Sequence, residues 1–298
     1  MFNKSIDKSK VLSDLKTKGY CAIESLITPE VIEEIENEVT KSRYALNENI
    51  QNGIYYETQY YFMNLLSDSK RCYDFITSNF VLDISKKYLG DIYRLRAMRY
   101  YETMSGHVMK WHSDNNKERA KVKFTGLIFI IYVCDVNEGE FQFIEGSHKF
   151  SNKFDSPEIN NEIVDKNYSK LVKSFKLPKG SLLIYDATGI HRAKPFINKK
   201  YVRKSLYFQV DAFDENSEKI ILNSKFLSNI TPEIKQLFGF GKDSSYPVYP
   251  KTNLNRLPIN SKVLILLSKW FVYRLLRIIF RTEPRRIVKF LKNLFNLN

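Results

Sequence analysis

The sequence has little of what staples or anchors a chain from within. Its three cysteines, Cys21, Cys72 and Cys134, are odd in number, far apart and form no CxxC pair. That excludes a disulfide framework or zinc knuckle and makes a reducing cytoplasm the expected setting. The opening MFNKSIDKSK has no apolar core, so no secretion signal is expected. There is no internal repeat and no low-complexity tract. Acidic residues are scarce in one place: residues 256–298 hold ten basic side chains against Glu283 alone, a net of +9. Of the overall +14, the other 255 residues therefore carry only +5. So local an excess speaks against a generally basic protein that coats nucleic acid, and no nucleic-acid partner is expected.

The chain is otherwise rich in core-forming residues. Hydrophobic residues make up 43% and aromatic residues 14% of the 298, enough for one large domain or two small ones to bury a sizeable core. Residues 7–18 read as a helix ended by Gly19, and Tyr20 to Ile23 as a strand. Thr28-Pro29-Glu30 opens a second helix, with Thr placed to cap it, Pro in the first turn and acids at the positive end of the dipole. Residues 68–89 read as a third helix ended by Gly90. From about residue 92 the period changes to that of strands. The run FTGLIFIIYVC, Phe124–Cys134, is too continuous to be half exposed and predicts a buried central strand. Phe141–Ile144, Ser181–Asp186 and Lys204–Asp211 predict further strands, separated by turns at Asn137-Glu138-Gly139 and Pro178-Lys179-Gly180. Short strands without intervening helices imply an antiparallel barrel or jelly roll covered by the preceding helices.

Four histidines are present, His107, His112, His148 and His191. His112-Ser113-Asp114 sets an imidazole and a carboxylate two residues apart, on one face of an extended backbone. His191, from a neighbouring strand, would complete a two-His, one-carboxylate face and leave three positions of an octahedral Fe(II) open. By itself the pair is more simply read as a hydrogen-bonded surface pair, and its ordered neighbours decide the matter.

Those neighbours are DLKTKGYCAIESLITPEVIEEI, then WHSD, then DVNEGEFQFIEGSHK, then LPKGSLLIYDATGIHRAKPF and Arg203. In this order they resemble the phytanoyl-CoA dioxygenase family of Fe(II)/2-oxoglutarate-dependent oxygenases, over roughly residues 8–211. The resemblance implies a double-stranded β-helix (jelly-roll) core. It implies that His112, Asp114 and His191 bind iron and that Arg203 grips the distal carboxylate of 2-oxoglutarate through its planar fork. It also implies hydroxylation of an aliphatic C–H, with 2-oxoglutarate and O2 converted to succinate and CO2. Retention of Asp114 speaks against halogenation, since related halogenases lack the carboxylate. The pattern departs from the family at Glu145, where Pro is usual, and at Ser181, where Asp is usual. His148 reads as a structural residue of the Gly-Ser-His turn, and His107 as a solvated loop residue with a substrate contact as the alternative. Tyr101, Arg99 and Ser205 are candidates for secondary cosubstrate contacts.

The basic stretch begins with Val263–Phe280, in which fourteen of eighteen residues are apolar. At roughly 0.3–0.6 kcal/mol each these favour insertion by about 4–8 kcal/mol, while Lys269, Arg274 and Arg277 oppose it by about 8–10. A membrane span is therefore disfavoured. In Pro284–Asn298 a helical wheel gathers Ile287, Val288, Phe290, Leu291, Leu294, Phe295 and Leu297 on one half, with Arg285, Arg286, Lys289 and Lys292 on the other. Such a helix suits an anionic membrane surface, although packing against the catalytic domain or a second subunit is the alternative.

The expectation is a mainly β protein with flanking helices. Residues 1–255 form the dioxygenase domain, helical over 1–91 and jelly-roll over 92–215, and 256–298 a basic amphipathic helical tail. The expected substrate is a small molecule, a lipid or a lipid-linked glycan, met at the inner face of a membrane through 257–298. The rivals are a non-catalytic jelly-roll binding module, which has no reason to keep all four of His112, Asp114, His191 and Arg203, and a membrane-surface adaptor, which leaves residues 92–211 unexplained.

Overall fold

In the computed structural model, residues 1–41, 54–56, 58–114, 125–150, 158–212, 217–228, 230–244 and 261–280 are described. Asp7 caps helix α1 (Lys8–Lys18), its carboxylate accepting from the amides of Ser9 and Lys10. The helix ends at Gly19 with φ 88°, where a Cβ would also strike His148. Strand β1 (Tyr20–Ile23) and helix α2 (Pro29–Lys41) follow, the latter with the Thr28 hydroxyl accepting from the Val31 amide. A hairpin of β2 (Ile54–Tyr56) and β3 (Gln59–Phe62) comes next.

The single helix expected over 68–89 is three: α3 (Leu65–Asp68), α4 (Lys70–Ile76) and α5 (Asn79–Leu89). Ser69 and Ser78 adopt extended backbone angles, and their hydroxyls accept from the amides of Cys72 and Val81. Each serine thus satisfies the start of a new helix instead of continuing the old one.

The remaining elements are β4 (Arg94–Thr103), β5 (Trp111–His112), β6 (Gly126–Tyr132), β7 (Phe141–Ile144), β8 (Glu158–Ile159), α6 (Asn161–Asn167), β9 (Val172–Phe175), β10 (Leu182–Asp186), β11 (His191–Ala193), β12 (Arg203–Asp211), α7 (Pro232–Leu237) and α8 (Ser261–Phe280). The central strand expected from Phe124 is β6; Phe124 itself lies outside the described residues, as does the helix expected over Pro284–Asn298. Before β10, Gly180 has φ 81°, and a Cβ there would collide with the Ile27 carbonyl oxygen.

Two antiparallel sheets result. The larger runs β1-β10-β6-β12-β4-β3-β2, the smaller β8-β5-β11-β7-β9. The part expected to be helical, 1–91, therefore also supplies three strands of the larger sheet: β1 pairs with β10, and β3 with β4.

Alternation along the strands of the larger sheet divides their side chains between two cores. Leu206, Phe208 and Val210 of β12, with Leu127, Phe129 and Ile131 of β6, pack under Val81 and Ile84 of α5, Phe75 of α4 and Leu15 of α1. Ile128, Tyr132, Leu183, Tyr185 and Tyr207 face the other way, toward Phe141, Phe143 and Phe175 of the smaller sheet. The helices thus cover one face of the larger sheet, and the interior between the sheets is left for chemistry.

Phe208 is fully buried and its ring lies 5.5 Å from that of Phe75, at the seam between helices and sheet. Phe208→Ala should cost about 3–5 kcal/mol. A urea-unfolding midpoint falling with an unchanged slope is the expected reading.

Candidate metal centre

Strands β5 and β11 pair antiparallel with His112 and His191 as direct partners. Cross-strand partners project to the same side of a sheet, so the two imidazoles meet, ring centroids 4.4 Å apart. Asp114, two residues beyond His112, turns back onto them: Oδ1 lies 3.6 Å from His112 Nε2 and Oδ2 lies 3.3 Å from His191 Nε2. One ligand atom from each residue fits within 4.8 Å of the other two, and no other such group of His, Cys, Asp or Glu occurs among the described residues.

The outer ring nitrogens fix the tautomers. His112 Nδ1 is 2.8 Å from the Lys110 carbonyl and His191 Nδ1 is 3.0 Å from that of Gly189. A carbonyl only accepts, so both Nδ1 atoms carry a proton, and in the neutral ring this leaves the lone pair on the Nε2 that faces the shared space. Burial, reinforced by His112, lowers the His191 pKa against the opposing pull of Asp114, so His191 is neutral at pH 7 and competent as a ligand. Burial alone would raise the Asp114 carboxyl, but the two histidines outweigh it and hold its pKa well below the usual carboxylate range. This donor set, two imidazoles and one carboxylate on one face, fits a divalent iron that keeps positions open.

A residue that the sequence reading passed over completes the surroundings. The Tyr185 hydroxyl, on β10, lies 3.3 Å from Asp114 Oδ2 and 3.5 Å from His191 Nε2. Burial first, then the Asp114 charge, pushes its pKa well above 10, so it is a hydroxyl donor. The Phe141 ring stacks on His191 at 5.2 Å and limits its rotation. Alternation along SLLIYD was the available signal for Tyr185, since it puts Tyr185 on the same face as Leu183.

Arg203 opens β12 opposite Thr103 of β4 and is 8% exposed. Its guanidinium donates to the Gly139 carbonyl and, at 3.4 Å, to Thr103 Oγ1. Among the described residues no carboxylate pairs with it. A buried cation with only neutral acceptors is poorly compensated, which suits it to an anionic ligand.

The secondary candidates separate. Arg99 is ion-paired with buried Glu218 and lies 5.8 Å over the Tyr207 ring, so its charge already has a partner. The Tyr101 ring stands edge-on to Tyr61 at 4.8 Å and to Tyr207 at 5.8 Å. Ser205 is buried between them in the register, opposite Tyr101 and Tyr132. His107, expected to be a solvated loop residue, does lie in a loop and is partly exposed, but its Nε2 is closed off from solvent. His148 Nε2 lies 3.2 Å from the Lys16 carbonyl, tying the turn at 146–149 to α1. The two departures from the family pattern act in turns. Glu145 accepts from the Tyr20 hydroxyl at 2.7 Å, while Ser181 Oγ donates to the Pro178 carbonyl and accepts from the Ser25 amide.

A helix-covered antiparallel sandwich with a His/Asp/His face between its sheets defines a jelly-roll, metal-dependent oxygenase. Residues 15–205 match the profile of phytanoyl-CoA dioxygenase (PhyH), and the chain belongs to that family. It is an enzyme of the iron- and 2-oxoglutarate-dependent oxygenase class. No curated protein sequence matches it. Among solved structures, the epimerase SnoN in complex with Fe3+, alpha ketoglutarate and nogalamycin RO is similar at a TM-score of 0.55 and 15% identity, over 84% of this chain and 97% of that one. HygX from Streptomyces hygroscopicus, with nickel, 2-oxoglutarate and hygromycin B bound, is similar at 0.51 and 13%, over 67% and 86%. AviO1 from Streptomyces viridochromogenes Tue57 is similar at 0.52 and 14%, over 70% and 96%. At these identities the likeness is one of fold.

Because Tyr185 supports Asp114 through a hydroxyl alone, Tyr185→Phe should weaken divalent-metal binding by about tenfold while leaving the thermal transition of the metal-free protein nearly unchanged. Calorimetric titration with Fe(II) or Ni(II) under anaerobic conditions measures it.

Proposed function

We propose that this protein is an Fe(II)- and 2-oxoglutarate-dependent dioxygenase that hydroxylates an aliphatic C–H of a small molecule. The observation that carries the reading is the convergence of His112 Nε2, His191 Nε2 and the Asp114 carboxylate within 4.8 Å. In this reading His112, Asp114 and His191 hold the metal, and Arg203 holds the distal carboxylate of the cosubstrate. When bound, iron and 2-oxoglutarate supply the oxidising chemistry: substrate R–H, O2 and 2-oxoglutarate become R–OH, succinate and CO2. The chain itself binds, orients and excludes water. Phe141 and Tyr185 shield His191, and the Lys110 and Gly189 carbonyls hold the Nδ1 protons, which turns each Nε2 toward the shared space.

The substrate is proposed to present a polar, hydroxyl-bearing group to the site. Tyr101, Tyr185 and Tyr207 all feel the Asp114 charge, and behind them stand the Arg99–Glu218 pair and Gln209, whose side-chain carbonyl accepts from the Tyr207 hydroxyl at 2.7 Å. Phenol faces and fixed donors suit a sugar or polyol ring better than an acyl chain. The hygromycin B and nogalamycin RO bound by HygX and SnoN support a small-molecule substrate of this kind.

Residues 1–255 are proposed as the catalytic unit and 256–298 as a tail that rests on the anionic inner face of a membrane. The support lies in α8. Its apolar side chains are exposed, among them Leu264, Ile265, Phe271, Val272, Ile278 and Ile279, the last two at 73% and 59%. No helix of the described residues is long and apolar enough to cross a membrane. An exposed apolar helix within a stretch of net +9 matches an anionic surface in both character and charge. A lipid-linked glycan would meet both demands, with a polar group at the iron and an anchor in the bilayer.

Anaerobic addition of Fe(II) and 2-oxoglutarate should give the visible charge-transfer band of the chelate, and His112→Ala should abolish it. Absence of the band in the wild type, or its survival in His112→Ala, would defeat the site assignment. Full-length protein should sediment with anionic vesicles and a chain lacking 257–298 should not; equal partitioning would sink the surface role.

A further inference from the structure

His107 stands in the turn between β4 and β5. Its own N–H bonds to the Met104 carbonyl at 3.3 Å, and that of the preceding Gly106 reaches the Phe196 carbonyl at 3.2 Å. The turn is therefore tied to the segment that leads from β11 to Arg203. On the other side, the Met104 amide donates to the Thr58 carbonyl at 2.8 Å, and Thr58 Oγ1 lies 3.0 Å from His107 Nδ1. The ring is thus held at Nδ1, while Nε2 is excluded from solvent and has no hydrogen-bond partner among the described residues.

A buried polar atom left unpaired costs about 1–3 kcal/mol, so a fixed ring that leaves one calls for a ligand. What surrounds it indicates which ligand. Burial first, and then the positive charge of Arg203, lower the His107 pKa to about 4, which places the guanidinium within electrostatic reach and keeps the imidazole uncharged at pH 7. Arg203 is the buried cation with no acidic partner among the described residues, and Thr103, which accepts from it, is one residue before Met104. Two unsatisfied features, an orphaned ring nitrogen and an uncompensated guanidinium, are joined through Thr103 and the turn that follows it and lie within electrostatic reach of each other, and a carboxylate satisfies both. The Thr58 hydroxyl donates or accepts as required, so the ring carries its proton on Nε2 when an anion is present.

We infer that His107 is a further cosubstrate-binding residue: its Nε2–H donates to the distal carboxylate of 2-oxoglutarate alongside Arg203, and Thr58 orients the ring. This rests on the oxygenase reading above and adds a selection to it. A 2-oxo acid with a carboxylate at its far end gains the His107 bond, while a monocarboxylate of the same length does not.

The test compares 2-oxoglutarate with 2-oxopentanoate, which has the same chain and chelating end but a methyl in place of the distal carboxylate. Each is titrated anaerobically into the Fe(II)-loaded full-length protein and followed by the charge-transfer band. His107→Ala should weaken 2-oxoglutarate about tenfold, as expected for a hydrogen bond to a charged group, and leave 2-oxopentanoate unchanged. His107→Gln, which keeps a donor, should recover most of the loss, and Thr58→Val should show the same selectivity at smaller amplitude. An equal loss for both acids would make His107 merely structural and overturn the inference, as would wild-type affinity for 2-oxoglutarate in His107→Ala. Should His107→Ala fail to fold, Thr58→Val decides by the same comparison. No band from the wild type with either acid is a separate outcome, which removes the oxygenase reading and this inference with it.

Discussion

The pairing of His191 with His112 across two very short strands is the constraint on which the rest depends. Strand β5 has two residues, yet it is hydrogen-bonded on both sides, to β8 and to β11. Trp111 beside it is fully buried on the opposite face, with the Arg192 guanidinium 4.5 Å over its ring. A one-residue slip would exchange the faces of Trp111 and His112, taking the indole out of its buried site and the imidazole away from His191. Apolar burial thus holds the register, and the register brings the three donor atoms together.

The interior between the sheets carries more charge than a core ordinarily tolerates. Arg96 pairs with Asp211 at 2.8 Å and Arg99 with Glu218, all four side chains nearly closed to solvent. Such pairs are a weak source of stability, because desolvation offsets most of the attraction. Their effect here is one of placement: they fix the polar wall beside the metal face, with Tyr207 between Arg99 and Gln209. Arg203 belongs to the same inward row of β12 but has neutral acceptors only among the described residues, and on that difference rests its proposed role as the anion clamp.

How much was legible beforehand differed with how local each signal was. His112-Ser113-Asp114 is a spacing on one extended segment, and Gly19, Thr28 and Gly180 act on their own turns, so these could be read directly. The strands at 141–144, 182–186 and 203–211 lie within a residue of expectation, because continuous β-branched and aromatic runs leave little choice. The break of 68–89 at Ser69 and Ser78 was harder, since a serine at helical spacing and a serine capping a new helix look alike until the backbone direction is known. The hairpin at 54–62 owes its place to pairing with β4, forty residues on, and the segment shows no comparable periodicity of its own.

By itself the sequence determined the uneven charge, the helical and extended segments with their local stops, and the order of the residues proposed to hold the metal and the cosubstrate. All of these depend on neighbours along the chain. Only the tertiary structure decided that Tyr185 meets Asp114, that Glu218 takes up the charge of Arg99, and that the Nε2 of His107 is closed off within reach of the Arg203 charge. Those outcomes depend on which faces of distant strands and turns are pressed together. Burial and field strength are properties of that enclosure, and sequence spacing does not encode them.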